Sequence, residues 1–241
     1  MEPFNYFNSF LPNQKLLKKY FKVKLNYFFE KNLFNFIMYY SDITKPRKKF
    51  KIYNPTDFSI EEMASNPISI NFLKFLVMLT KPKNILEVGC FVGVTTMEIA
   101  SILQPGSKIT TVERFDQFAK VAEINFKKNK LNKLINLVNE DIKIFLSKTK
   151  KKYDLIFIDG DKENYLEIFL KSEKLLSKKG FIIIDNIFNQ GDAINDKPIT
   201  SKGFGVLRVL KYLKKRKDLK KCILPFYDGI MLVQKLSSKF K

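Results

Sequence analysis

The chain of 241 residues contains no histidine. That absence removes Ser–His and Cys–His nucleophilic pairs, imidazole general bases and imidazole zinc sites. Any proton transfer falls to Lys, Asp, Glu, Tyr or an oxygen held by a metal. Cysteine is nearly absent: Cys90 and Cys222 make no disulfide framework, so a reducing, cytoplasmic setting is the expectation. Arginine is scarce, appearing only at Arg47, Arg114, Arg208 and Arg216 among 44 lysines and arginines. No apolar run approaches the roughly 18–20 residues needed to span a bilayer; the longest candidate is 33–40. The opening MEPFNYFNSF has no basic stretch followed by an apolar one, so it does not read as a signal peptide.

What remains is a globular composition, 45% apolar, long enough for one α/β domain with an N-terminal extension. The formal net charge of +20 raises a nucleic-acid or acidic-membrane partner. The excess is almost all lysine, whereas nucleic-acid readers lean on arginine for bidentate contacts. Asn, Ile, Phe and Tyr are abundant too, and like Lys they have AT-rich codons, so genome bias accounts for the whole set and nucleic acid is disfavoured. Residues 1–60 are read as a helical extension and 61–241 as the main domain. Leu16, Leu17, Tyr20, Phe21, Phe28, Phe29, Leu33, Phe36, Ile37 and Tyr40 recur at roughly helical spacing, suiting packing on the main domain or a homodimer-forming arm. Pro46 with Arg47-Lys48-Lys49, and Pro55-Thr56-Asp57, read as loops.

Ser65-Asn66-Pro67 signals a helix start, and the helix should end at Lys81-Pro82. Strands are expected at 84–88, 108–112, 134–138, 153–158 and 181–184, alternating with helices at 94–100, 115–129, 141–148, 165–177 and 204–215. A hairpin of strands 222–226 and 230–235 turns on Asp228-Gly229. This order implies a mostly parallel sheet with helices on both faces and a C-terminal antiparallel hairpin.

The first strand runs into Gly89-Cys90-Phe91-Val92-Gly93, a turn that can hold a nucleotide-like ligand. Glu113, 24 residues after Gly89, can accept ribose hydroxyls. The turn lacks the G-x-G-x-x-G spacing, and Cys90 and Phe91 stand where a pyrophosphate needs close backbone approach, so a ligand without pyrophosphate is expected. Acids mark successive strand ends: Glu87, Glu113, Asp141, Asp159 and Asp185. Asp159, Asp185 and Asn186 form a hard-oxygen set suited to Mg²⁺, Ca²⁺ or Mn²⁺ and not zinc. Lys162 sits beside them; a divalent cation there disfavours the ammonium form and frees the amine as a base.

ILEVGCFVGVTT, ITTVE, YDLIFIDGDKENY, GFIIIDN and YDGIMLV, in this order, resemble the cation-dependent O-methyltransferases, which include the caffeoyl-CoA and catechol enzymes. The resemblance covers about 63–235. It implies a Rossmann-like class I methyltransferase fold with a seven-stranded sheet, S-adenosylmethionine as methyl donor and a divalent cation, Mg²⁺ foremost. By the same resemblance Glu87, Gly89, Gly93 and Thr95 match the donor-binding turn, Glu113 the ribose acid, Asp141 the adenine edge, and Met63 and Ser65 the segment touching the methionine part. Asp159, Asp185 and Asn186 match the metal ligands, with Asp159 also beside the donor, and Lys162 matches the catalytic base. The chain departs from the family pattern at Asn189, where a Trp is usual, and at Ile70, where a Gly is usual.

The resulting expectation is methyl transfer to a hydroxyl of a small vicinal diol, catechol-like or caffeoyl-type. Two alternatives stand beside it: methylation of RNA, and a non-catalytic S-adenosylmethionine-binding protein on the same scaffold. No Asn-Pro-Pro-aromatic motif supports the first, and the intact metal set speaks against the second.

Overall fold

A computed structural model of the chain describes residues 36–41, 43 and 46–236. The helical spacing expected at Leu16, Leu17, Tyr20, Phe21, Phe28, Phe29 and Leu33 lies outside them. Seven strands form one sheet in the order β3-β2-β1-β4-β5-β7-β6: β1 (Asn84–Val88), β2 (Lys108–Glu113), β3 (Ile135–Asn139), β4 (Tyr153–Ile158), β5 (Leu176–Ile184), β6 (Leu219–Leu224) and β7 (Ile230–Lys235). The first five are parallel to one another, and β7 runs antiparallel to both β5 and β6. The chain winds outward from β1 to β3 and then returns to the other side of β1, so the switch of direction falls between β1 and β4. A crevice opens at the carboxyl ends of strands at such a point.

Strand periodicity sorts the core into two layers. Ile85, Leu155, Phe157, Phe181 and Ile183 face one side of the sheet. Leu86, Ile156, Ile158, Ile182 and Ile184 face the other. The first side is covered by α3 (Pro67–Thr80), α4 (Val94–Ala100) and α5 (Asp116–Lys128), through Leu73, Met97 and Phe126. The second is covered by α6 (Ile142–Lys148), α7 (Tyr165–Leu175) and α8 (Ser201–Lys215), through Leu146, Phe169 and Val209. The expected start of α3 holds: the Asn66 side chain accepts from the Ile68 amide at 2.8 Å, and Pro67 takes the first helical position. Lys81, in the left-handed conformation, closes it.

Several boundaries differ from the sequence reading. The loop expected at Pro46 is a single helical turn, α1 (Pro46–Lys49); a second, α2 (Ile60–Met63), precedes α3. Strand β5 begins at Leu176, not 181, and α7 stops at Leu175, because Tyr153 already pairs with Leu176 and a register shift carries the ladder past the polar stretch to Phe181. Strand β6 begins at Leu219: it is an edge strand, and Lys220 and Lys221 hide its alternation. Helix α8 begins at Ser201, capped by the Thr200 hydroxyl, which accepts from the Gly203 amide at 2.9 Å. Among the described residues, no helix is long and apolar enough to cross a membrane.

Phe169, fully buried between α7 and the sheet, is a test of this layering. Phe169→Ala is expected to lower unfolding free energy by about 3–5 kcal/mol. Ile199→Ala, at a side chain 89% exposed, should change it by less than about 0.5 kcal/mol. Denaturant titration checks both; equal effects would contradict the placement.

Candidate active site

Strand register sets the site. Val88 pairs with Ile158, and Ile158 with Ile184, so the residues one step beyond, Gly89, Asp159 and Asp185, end up side by side. The ladder continues through them: Gly89 N donates to Val112 O, Asp159 N to Val88 O and Asp185 N to Ile158 O. Gly89 is required twice over. Its φ is +91°, and a Cβ there would lie 2.4 Å from the Asp159 carbonyl oxygen.

The turn from β1 to α4 is held by Glu113. One carboxylate oxygen accepts from the Cys90 and Phe91 amides at 3.2 and 2.9 Å, and the other from Phe115 N at 3.0 Å. Phe91 is thereby kept at φ +50°, with its ring turned into a cluster with Ile60, Val92 and Phe118. Cys90 is likewise buried, and burial pushes its thiol up, so it is no nucleophile. The sequence argument placed these two side chains in a ligand's way, but the structure buries both. Phosphate is excluded for another reason. The turn amides that would cradle it already serve a carboxylate, and a second anion would meet that charge.

Glu87 is buried beneath the turn, where it accepts from Thr111 Oγ1 at 2.6 Å and from Thr96 Oγ1. Burial pushes its carboxyl up to about 8, against the pull of both threonines. A chain of hydroxyls crosses the site: Thr95 Oγ1 donates to Ser65 Oγ at 3.2 Å, and Ser65 Oγ to Asp159 Oδ2 at 3.0 Å. Lys162 Nζ stands 3.8 Å from Asp159 Oδ1. Burial raises the Asp159 carboxyl, with Lys162 and Ser65 opposing. Asp185 is pushed up to about 8, by burial first and then by the neighbouring Asp159. Asn186, at φ +51°, donates its amide to Asp185 Oδ1 at 2.8 Å.

The structure thus gathers Ser65, Thr95, Asp159, Lys162, Asp185 and Asn186 beside Gly89. Gly93 closes the turn at φ +86°, against the Phe126 ring. Asp141 lies further along the strand ends and caps α6, accepting from Lys143 N at 2.8 Å. Met63 is 45% exposed at the end of α2. Sequence reasoning missed Asp228, taken only as a turn former. It is buried, accepts from Gln190 N at 2.7 Å, and is pushed up to about 6, chiefly by burial, while feeling the charges of Lys162 and Asp159. Tyr165, also missed, donates its hydroxyl to the Asp185 carbonyl at 3.2 Å.

Among the described residues no three His, Cys, Asp or Glu side chains gather as a metal centre. The expected set is two carboxylates and an amide oxygen, and its chemistry fits a hard cation: oxygen donors only, with neighbouring carboxylates whose burial and repulsion a positive charge relieves.

The strand order β3-β2-β1-β4-β5-β7-β6, with β7 antiparallel to β5, is that of a Rossmann-like, class I methyltransferase fold. Residues 42–236 match the family model described as O-methyltransferase, and the chain belongs to that family of S-adenosylmethionine-dependent enzymes. It is 23% identical over 231 residues to "Probable caffeoyl-CoA O-methyltransferase 2" of Dictyostelium discoideum, covering 93% of this chain and 99% of the relative. It is 29% identical over 184 residues to caffeoyl-CoA O-methyltransferase 2 of Petunia hybrida, covering 69% and 74%. In fold it is similar to the SAH-bound methyltransferase of Podospora anserina, with TM-score 0.79, 21% identity and coverage of 89% and 98%.

Glu87 yields a pH test. Its carboxyl titrates near 4.5 when unfolded and about 8 when folded. The stability carried by its neutral form is complete below pH 4.5, declines as pH rises, and is lost through about pH 8. Glu87→Gln removes that decline, so between pH 5 and 8 the variant should gain on wild type by up to about 1.4 kcal/mol per pH unit. Parallel denaturant curves at the two pH values would contradict the assignment.

Proposed function

We propose that this enzyme transfers the methyl group of S-adenosylmethionine to a hydroxyl of a small vicinal diol of catechol or caffeoyl type, with a divalent cation, Mg²⁺ foremost. The observation that carries this reading is the juxtaposition of Lys162, Asp159 and Asp185 with the donor turn, linked to it through Ser65 and Thr95. The caffeoyl-CoA activity in the relatives' names supports the acceptor class.

In this reading Gly89 and Gly93 let the donor lie close to the backbone, and Thr95, Ser65 and Met63 bound its methionine part. Glu113 accepts from one ribose hydroxyl. Its carboxylate has room for about four hydrogen bonds, of which three are taken by backbone amides. Glu87 supports the turn from beneath, and Asp141 stands at the adenine edge. Asp159, Asp185 and Asn186 would hold the cation. When bound, it supplies Lewis-acid charge that acidifies an acceptor hydroxyl and orients its neighbour.

The residues of the chain carry the remaining steps. Lys162 Nζ is the base that takes the proton from the acceptor hydroxyl. The oxyanion attacks the donor methyl in line, the new O–CH₃ bond forming as the S⁺–CH₃ bond breaks. S-adenosylhomocysteine leaves with the electron pair on sulfur, and the proton stays on Lys162 until release.

The test is methyl transfer to catechol, caffeoyl-CoA and a monohydroxy control, with Mg²⁺ or with chelator. Turnover of the diols only, lost in chelator, is expected. Lys162→Met should lower kcat by about 10²–10⁴ with donor affinity kept. Undiminished turnover in chelator would overturn the cation-dependent reading.

A further inference from the structure

A buried amide behind the donor turn ties it to a segment outside the sheet. Asn125, on α5, is fully buried. Its Oδ1 accepts from Tyr53 N at 2.7 Å, and its Nδ2 donates to Tyr53 O at 2.9 Å and to Val92 O at 2.9 Å. One side chain therefore holds residue 53 as a neighbouring β-strand would, and fixes the carbonyl of the residue between Phe91 and Gly93. One turn on, Asn129 does the same to residue 51: its Oδ1 accepts from Lys51 N at 2.9 Å and its Nδ2 donates to Lys51 O at 3.2 Å. Two asparagines at i and i+4 share a helix face, and alternate residues of an extended segment share a side, so the two periods match.

The rest of residues 50–60 follows this ladder. Ile52 packs against the cluster of Ile60, Phe91, Val92 and Phe118, and Phe58 meets the Phe118 ring edge-on at 5.8 Å. The strap then runs through α2 to Ser65 and its bond to Asp159. It touches the turn from behind and the acid pair in front.

We propose that Asn125 is a positioning residue for the methyl-donor turn, and that through it the strap over 50–60 is coupled to donor occupancy. This rests on the donor reading above. The carbonyl of Val92 has a fixed place only while Nδ2 holds it, and Nδ2 is aimed by the two bonds to Tyr53. A donor that requires the turn in this conformation also stabilises the strap, and the strap raises donor affinity by the same factor.

S-adenosylhomocysteine is the probe, with hydrogen exchange at the Lys51 and Tyr53 amides and calorimetric affinity as readouts. In the wild type, S-adenosylhomocysteine should slow exchange at both amides at least about threefold. Asn125→Ala should weaken its binding about 10–30-fold and abolish the protection, raising KM for S-adenosylmethionine while kcat at saturation stays within about threefold. Asn129→Ala, at a partly exposed site, leaves the Val92 bond in place. It should lose protection at Lys51, keep it at Tyr53, and bind within about threefold of wild type. Failure of the wild type to bind S-adenosylhomocysteine would overturn the donor reading and this inference together. Binding without any change in exchange at Lys51 and Tyr53 would overturn this inference alone, as would wild-type affinity in a folded Asn125→Ala.

Discussion

Asp159 and Asp185 end two neighbouring parallel strands, and the hydrogen-bond register leaves them no freedom to separate. Asp185 is buried and the Asp159 side chain is 18% exposed, and the charge of Asp159 raises the cost of ionising Asp185. The surroundings answer that constraint. Lys162 brings one positive charge to Asp159, Ser65 donates to its other oxygen, and the Asn186 amide donates to Asp185. Asp228 adds a third acid in the same field. Two acids held this close repel each other, and that repulsion is what the proposed cation would relieve.

The donor side obeys the same logic with the charges reversed. A glycine turn leaves backbone amides pointing at one spot, which commonly selects phosphate. Here Glu113 fills that spot from within. In the proposed donor reading, that carboxylate is met by a hydroxyl of the ligand. Asn125 fixes the same turn from the other side, through the Val92 carbonyl. Two side chains, 22 and 33 positions beyond their partners in the turn, hold five residues of loop.

The centre of the sheet was legible because strands such as β1 and β4 are buried on both faces and carry their signal locally. Glu87, Glu113, Asp159 and Asp185 were found the same way, each closing an apolar run. What was hidden depends on distance in sequence. Asp228 looked like half of an Asp-Gly turn, since nothing near it reveals Gln190 or Lys162. Asn125 falls inside the helix expected at 115–129 and was not singled out; its partners at 53 and 92 are supplied by folding. The polar start of β5 read as a helix end and a connection because only pairing with Tyr153 makes it a strand. The ring of Phe91 read as an obstruction because the cluster that swallows it includes Ile60, thirty-one residues earlier.

The acid pair can be interrogated without an acceptor. Thermal unfolding is followed as Mg²⁺ is titrated into the wild type and into Asp185→Asn. A ligand that binds only the folded state raises the midpoint with its concentration. The wild-type midpoint should rise saturably and that of Asp185→Asn should stay nearly level. A wild-type midpoint indifferent to Mg²⁺, Mn²⁺ and Ca²⁺ alike would contradict the assignment of Asp159, Asp185 and Asn186 to a cation.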